Sequence, residues 1–101
     1  MIYIYNTDYH RTKGAIKIGY TKHNDVEQRV LSQCSQCNID YTILYEADAK
    51  YKAGRDVHDK AIHNELLKRG FKRCVVNGHA TEWFYCNVDD VKSVISALQK
   101  R

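Results

Sequence analysis

Residues 2–6 (Ile-Tyr-Ile-Tyr-Asn) alternate β-branched and aromatic side chains, a period of two that predicts a strand. After a polar, turn-rich stretch, residues 15–20 (Ala-Ile-Lys-Ile-Gly-Tyr) alternate again. The two runs predict a β-hairpin with a long loop that carries His10, Arg11 and Lys13. Asn24 is placed to cap a helix that opens on Asp25, Val26 and Glu27, with Val26, Val30 and Cys34 as its buried stripe at four-residue spacing. Residues 41–47 (Tyr-Thr-Ile-Leu-Tyr-Glu-Ala) have the composition of a third strand. A longer helix is expected over residues 52–69, stopped by Gly70 at C′, with His58, Ile62 and Leu66 as its stripe and Ala61 and Leu67 alongside. Short apolar runs at 71–76 and 82–86 flank an Asn77-Gly78-His79 turn and suggest a second hairpin. Asn87 then caps a last helix with Asp89 and Asp90 in its first turn and Val91, Val94, Ile95 and Leu98 as its apolar face. The order ββαβα(ββ)α predicts an α/β (α+β) domain around an antiparallel sheet.

Composition narrows this picture. At 101 residues, with 44% hydrophobic and 28% charged side chains, the chain is expected to form one domain spanning 1–101. There is no proline, no apolar run near the roughly 18 residues of a membrane span, and no signal-peptide pattern at the N-terminus, so a cytoplasmic location is expected. The net charge of +4 is mild, but its placement is not uniform. Arg11, Lys13, Lys17 and Lys22 stand against a single acid, Asp8, before residue 24, and Lys68, Arg69, Lys72 and Arg73 form a second basic cluster. Two such clusters suit a phosphate backbone as well as a merely solvated surface. Of four cysteines, Cys34 and Cys37 have zinc-ligand spacing; Cys74 and Cys86 do not, and lie in runs where free cysteine packs as a small apolar residue.

Tyrosine is over-used, with eight against two Phe and one Trp, and Tyr3, Tyr5, Tyr9 and Tyr20 fall in the first twenty residues. On a strand, residues two apart share a face, so Tyr3 and Tyr5 point together, as do Lys17 and Gly19 on the next strand. If the faces match, phenols, an ammonium and a bare glycine backbone converge, and Gly19 would let a substrate backbone come close. The same tyrosines also suit half-buried strand packing. Arg29 flanks the stripe of its helix, where a planar donor fork suits a phosphate oxygen. Asp56, Asp59 and His63 share one helical face, as either a cation or acid/base site or an ordinary surface pair. Glu82 beside Trp83 and Phe84 is a carboxylate among large aromatics.

In chain order these residues resemble the GIY-YIG nuclease superfamily, in particular its small phage and bacterial branch with a Lys-Ile-Gly second motif. Met1-Ile2-Tyr3 stands for the first motif and Lys17-Ile18-Gly19-Tyr20-Thr21 for the second. Arg29 matches the helix arginine, Asp59-Lys60-Ala61-Ile62-His63 the Glu-x-x-x-His helix, and Thr81-Glu82-Trp83-Phe84 the Gly-Glu-Trp-Phe run. The resemblance implies a three-stranded antiparallel sheet flanked by helices and metal-dependent cleavage of a DNA phosphodiester. It assigns Tyr3 as base, Arg29 as phosphate clamp, Asp59 as metal ligand with His63 beside it, and Lys17 to the catalytic set, with magnesium or another divalent cation as cofactor. Gly19, Tyr20, Arg11, Lys13 and Lys22 are the expected DNA-binding positions.

Met1 stands where the family has glycine, Lys17 where it commonly has tyrosine, and Asp59 where it has glutamate. Aspartate sets its carboxylate about 1.5 Å further back, and metal distances tolerate only a few tenths of an ångström. Glu82 is therefore an alternative ligand. The expected activity is a DNA endonuclease or nickase from a phage, mobile element or restriction system, with a homodimer or additional domain for specificity. The alternatives are a catalytically inactive DNA-binding module and a zinc-stabilised interaction domain on Cys34 and Cys37.

Overall fold

The structure is a computed structural model that describes residues 1–22, 26–34 and 40–101, without the side chains of residues 33 and 34. The expected Asn24 cap, Asp25, Cys37 and the Cys34 side chain lie outside the described residues, and the Cys34–Cys37 zinc pair with them. The described elements run β1 (Ile2–Thr7), α1 (Asp8–Arg11), β2 (Ile16–Tyr20), α2 (Val26–Cys34), β3 (Tyr41–Ala47), α3 (Asp59–Lys68), β4 (Arg73–Val76), β5 (His79–Phe84) and α4 (Val88–Gln99). The strands form one antiparallel sheet in the order β3-β1-β2-β5-β4.

The fold is the expected α+β class, with five strands where the resemblance implied three. The extra pair is the second hairpin, which joins the main sheet through β5 on β2. Asn77 (φ 52°) and Gly78 (φ 79°) supply the two positive φ angles of a tight turn whose twist matches a two-stranded ribbon.

Alternation along the strands sends side chains to two layers. Ile2, Ile4, Ile16 and Ile18 face α3 and α4, where they pack with Ile62, Leu66, Phe84, Val91, Val94, Ile95 and Leu98. Burying each such side chain is worth about 1.5–3 kcal/mol. Tyr3 and Tyr5 face the other way, onto Val26 and Val30 of α2, with Tyr41, Ile43 and Trp83 around them. Val26 and Val30 of the α2 stripe and the α4 face are buried as the periodicity predicts. α4 opens on a capping box in which Asn87 Oδ1 accepts from the Asp90 N–H and Asp90 accepts from the Asn87 N–H.

The long helix starts later than expected, at Asp59 instead of near residue 52. Gly54 has φ +91°, its N–H bonds the Tyr51 carbonyl, and the Tyr51 N–H bonds the Arg55 carbonyl. This tight turn, with the Lys50–Asp56 bridge, replaces the first helical turns. The stripe also rotates. Ile62, His63 and Leu66 are buried, whereas His58 is exposed at the N-cap and Leu67 is exposed. The helix ends as predicted at Gly70 (φ +93°), where Gly70 and Phe71 N–H groups return to Leu67 and Leu66 carbonyls in a Schellman motif. No described helix is long and apolar enough to cross a membrane.

Candidate active site

The site forms where the sheet parts. β2 and β5 pair at Ile16↔Phe84 and Lys17↔Trp83. Beyond them the Ile18 carbonyl accepts a hydrogen bond from His63 Nε2 at 2.9 Å. That bond fixes the neutral tautomer with its proton on Nε2, so Nδ1 keeps the lone pair. Burial holds His63 below its ordinary value of 6.5, against the opposing pull of the Ile18 bond and Asp59. The opening is a cleft of about 550 Å³ lined by Tyr3, Tyr20, Arg29, Asp59, His63, Arg73 and Glu82, with Lys60, Asn64, Ala80 and Thr81 completing the wall.

Asp59, His63 and Glu82 form one cluster, their ligand atoms all within 4.8 Å of one another. Asp59 and His63 come from successive turns of α3, and Glu82 faces them from β5. Glu82 is exposed as a residue, yet partial burial of its carboxyl, then its hydrogen bond with Asp59, lifts it above the usual carboxylate range. Lys17 and Arg29 pull it back down. Two carboxyls this close hold a shared proton or a cation more readily than two negative charges.

Tyr3 lines the same cleft from β1. A Cβ placed on Gly19, its cross-strand partner, would lie 2.4 Å from Tyr3 Cζ and Oη. Gly19 therefore makes room for the Tyr3 ring, not for a substrate backbone as the sequence suggests. Tyr3 and Tyr5 stack at 6.1 Å with 16° between planes, as their shared strand face predicts. Lys17 lies beside the cleft, not in its wall, with Nζ 5.4 Å from the Tyr5 ring centroid.

Other expected positions separate. Tyr20 lines the cleft, but its hydroxyl donates to Asp56 at 2.7 Å and its ring stacks on His58 at 4.1 Å. Asp56, held at about 2 by the bonds from Lys50 and Tyr20, is outside the Asp59–His63 face. Lys22 borders an adjoining hollow with Arg55 and shares only Tyr20 with the cleft. Arg11 and Lys13 are not brought to the site. Arg11 pairs with Asp8 and borders a different cavity, and Lys13 bonds the Tyr9 hydroxyl and lies over its ring. Of the second basic cluster, Arg73 enters the cleft, while Arg69 pairs with Glu65. Tyr85, in the apolar run at 82–86, is 44% exposed. Cys74 and Cys86 are free, and burial pushes the Cys86 thiol up to about 12, as befits a packing residue.

Lys60 and Asn64 escaped sequence reasoning, and Arg73 stood out only as one of a basic cluster suited to a phosphate backbone. Lys60 and Asn64 carry a signal, being one residue on from Asp59 and His63 and so on the adjacent rail of the same helix. Arg73 carries none beyond its basic neighbours.

Fold and cleft together define an α+β domain in which a carboxylate–imidazole cluster faces a tyrosine and two arginines, a set of groups that matches an anionic ester. The family model of the T5orf172 domain matches residues 1–99, and the chain belongs to that family. Membership is consistent with a DNA-acting, nuclease-like module of phage type. No curated protein and no solved structure gives a significant match.

Proposed function

We propose that the cleft is the active site of a metal-dependent DNA endonuclease or nickase of the GIY-YIG type. The observation that carries this reading is the meeting of Asp59, His63 and Glu82 within 4.8 Å, in the same cleft as Tyr3 and Arg29. Ligands at about 2.1 Å around an octahedral ion stand about 3 to 4.2 Å apart, and the cluster's ligand atoms all lie within 4.8 Å of one another. Asp59 and Glu82 would hold the cation, with magnesium the first candidate, and His63 would offer Nδ1. The second carboxylate, brought in by β5, answers the shortness of Asp59. A bound dication supplies charge neutralisation at the phosphate and a more acidic water.

The chain's own groups do the rest. Tyr3 Oη, its own proton passed to solvent, would take a proton from the attacking water as the water oxygen bonds phosphorus and one P–O bond to a sugar breaks, the departing sugar oxygen being protonated from solvent. Arg29, exposed on α2, presents a planar fork to the non-bridging phosphate oxygens as their charge grows. Lys17 adds positive potential beside Glu82. The cleft is small, so reading a long DNA sequence would require a second copy or an additional domain.

The second reading, a catalytically inactive DNA-binding module, rests on Asp59 in the place of the expected glutamate. Supercoiled plasmid separates the two. The first reading expects magnesium-dependent nicking that EDTA abolishes and that Tyr3→Phe and Arg29→Ala each reduce by at least tenfold. Retained plasmid binding without nicking establishes the second. Nicking that survives both substitutions refutes the assignment of the site.

A further inference from the structure

We infer that Arg73 is a second phosphate-binding arginine of the cleft, taking an oxygen of the nucleic-acid backbone that Arg29 does not hold. This rests on the reading that the cleft accepts a phosphodiester strand. Of the six arginines, Arg11, Arg69 and Arg101 pair with carboxylates, and Arg55 lies over the Tyr51 ring at the surface. Arg29 and Arg73 form no ion pair with a carboxylate among the described residues, and both line the cleft.

Arg73 is the more demanding of the two. It is only partly exposed, and its Nε is buried without a hydrogen-bond partner among the described residues. A buried unsatisfied donor on a cation is costly, and an apolar side chain of similar volume would serve folding better. Such a group persists where something outside the fold completes it. Its guanidinium carbon lies 4.9 Å from the ring centroid of Phe84, its cross-strand partner, and its charge also acts on His63. This cation–π contact seats the charge and leaves it unneutralised. Phe84 also packs on the His63 ring at 5.0 Å, which ties Arg73 to the metal-ligand cluster through one shared aromatic. Asp59 and Glu82 stand in the same cleft wall, yet neither forms an ion pair with Arg73. An unpaired guanidinium that avoids nearby carboxylates matches a phosphate oxygen, the acceptor a DNA strand brings with it.

The test is binding of a labelled 20-base-pair duplex in EDTA, where cleavage is silent, across a salt series. Arg73→Ala should bind about 10- to 100-fold more weakly. Its plot of log affinity against log salt should be shallower by about 0.9, the share of one phosphate contact. Arg73→Lys should keep the slope and lose part of the affinity, and Arg101→Ala should change neither. An unchanged slope in Arg73→Ala, with the parent binding and nicking normally, overturns this inference and leaves the proposed function standing. A parent that binds no duplex overturns both. Should Arg73→Ala fail to fold, Arg73→Lys and Arg73→Gln carry the comparison, and Gln must lose the slope that Lys keeps. In the parent protein, the Arg73 guanidinium NMR signal must shift when duplex is added, and a signal that stays put refutes the contact.

Discussion

Gly19→Ala is the substitution whose consequence follows most directly from the coordinates. The new methyl carbon would lie 2.4 Å from Tyr3 Cζ and Oη and 2.7 Å from Cε2. Ordinary carbon contacts begin near 3.4 Å, so the ring must retreat by about 1 Å. Tyr3 is only 2% exposed and is stacked on Tyr5, so the retreat also disturbs the layer beneath α2. Overpacking of this kind costs about 1–3 kcal/mol. Gly19 does not occupy the left-handed region, so the backbone itself tolerates alanine. A 1 Å misplacement of a reacting group costs about 100-fold in rate. Nicking of supercoiled plasmid should therefore fall by about two orders of magnitude while thermal denaturation still shows a cooperative, lowered transition. The double variant with Tyr3→Phe should be no slower than Tyr3→Phe alone, because both changes act through the same hydroxyl. Wild-type nicking by Gly19→Ala, or rate losses that multiply in the double variant, would refute the reasoning.

Three further outcomes are expected. His63 is held neutral below its ordinary 6.5, so the unfolded chain binds more protons there and stability falls as pH drops below 6.5; His63→Gln should flatten that part of the Tm-against-pH curve. Glu82 is raised first by burial and then by Asp59, so in Asp59→Asn its carboxyl should titrate lower, though not fully to the ordinary value, by carboxyl-carbon NMR. Asn87→Ala removes the cap half of the α4 box and should cost about 1 kcal/mol, seen as a Tm lower by roughly 4–8 °C with nicking intact.

The strands were legible because alternation survives in them: Tyr3 and Tyr5 share a face, and residues 41–47 form β3 as their composition predicts. The start of α3 was not, because residues 52–58 contain good helix formers and nothing local shows that Gly54 turns to φ +91°. Of the site, the order of motifs brought out Tyr3, Arg29, Asp59, His63 and Glu82, which the cleft does gather. Arg11 and Lys13 fall outside the cleft because nearness in sequence to the hairpin says nothing of direction. They extend from the far end of β1, about 13 Å along the strand from Tyr3, and are occupied by Asp8 and Tyr9. Arg73 was legible only as one of a basic cluster, because its place in the cleft depends on the long-range pairing of β5 with β2.

That pairing also accounts for the position of the site. Had β5 continued along β2, the Ile18 carbonyl would have been taken by the sheet. Because their pairing stops at Lys17↔Trp83, the sheet opens beside Gly19, and the first two turns of α3 close the gap with His63 on Ile18. One hydrogen bond thus satisfies the backbone acceptor, selects the imidazole tautomer and leaves the lone pair on Nδ1. The same divergence carries Glu82 toward Asp59, so a second carboxylate reaches the short aspartate by strand geometry. A variant that restores length at position 59 tests this dependence. In Asp59→Glu the longer carboxylate should make Glu82 dispensable, so Glu82→Gln should impair metal-dependent nicking in the parent and much less in the Asp59→Glu background. Equal impairment in both backgrounds would show that Glu82 acts otherwise than by making up for the missing methylene.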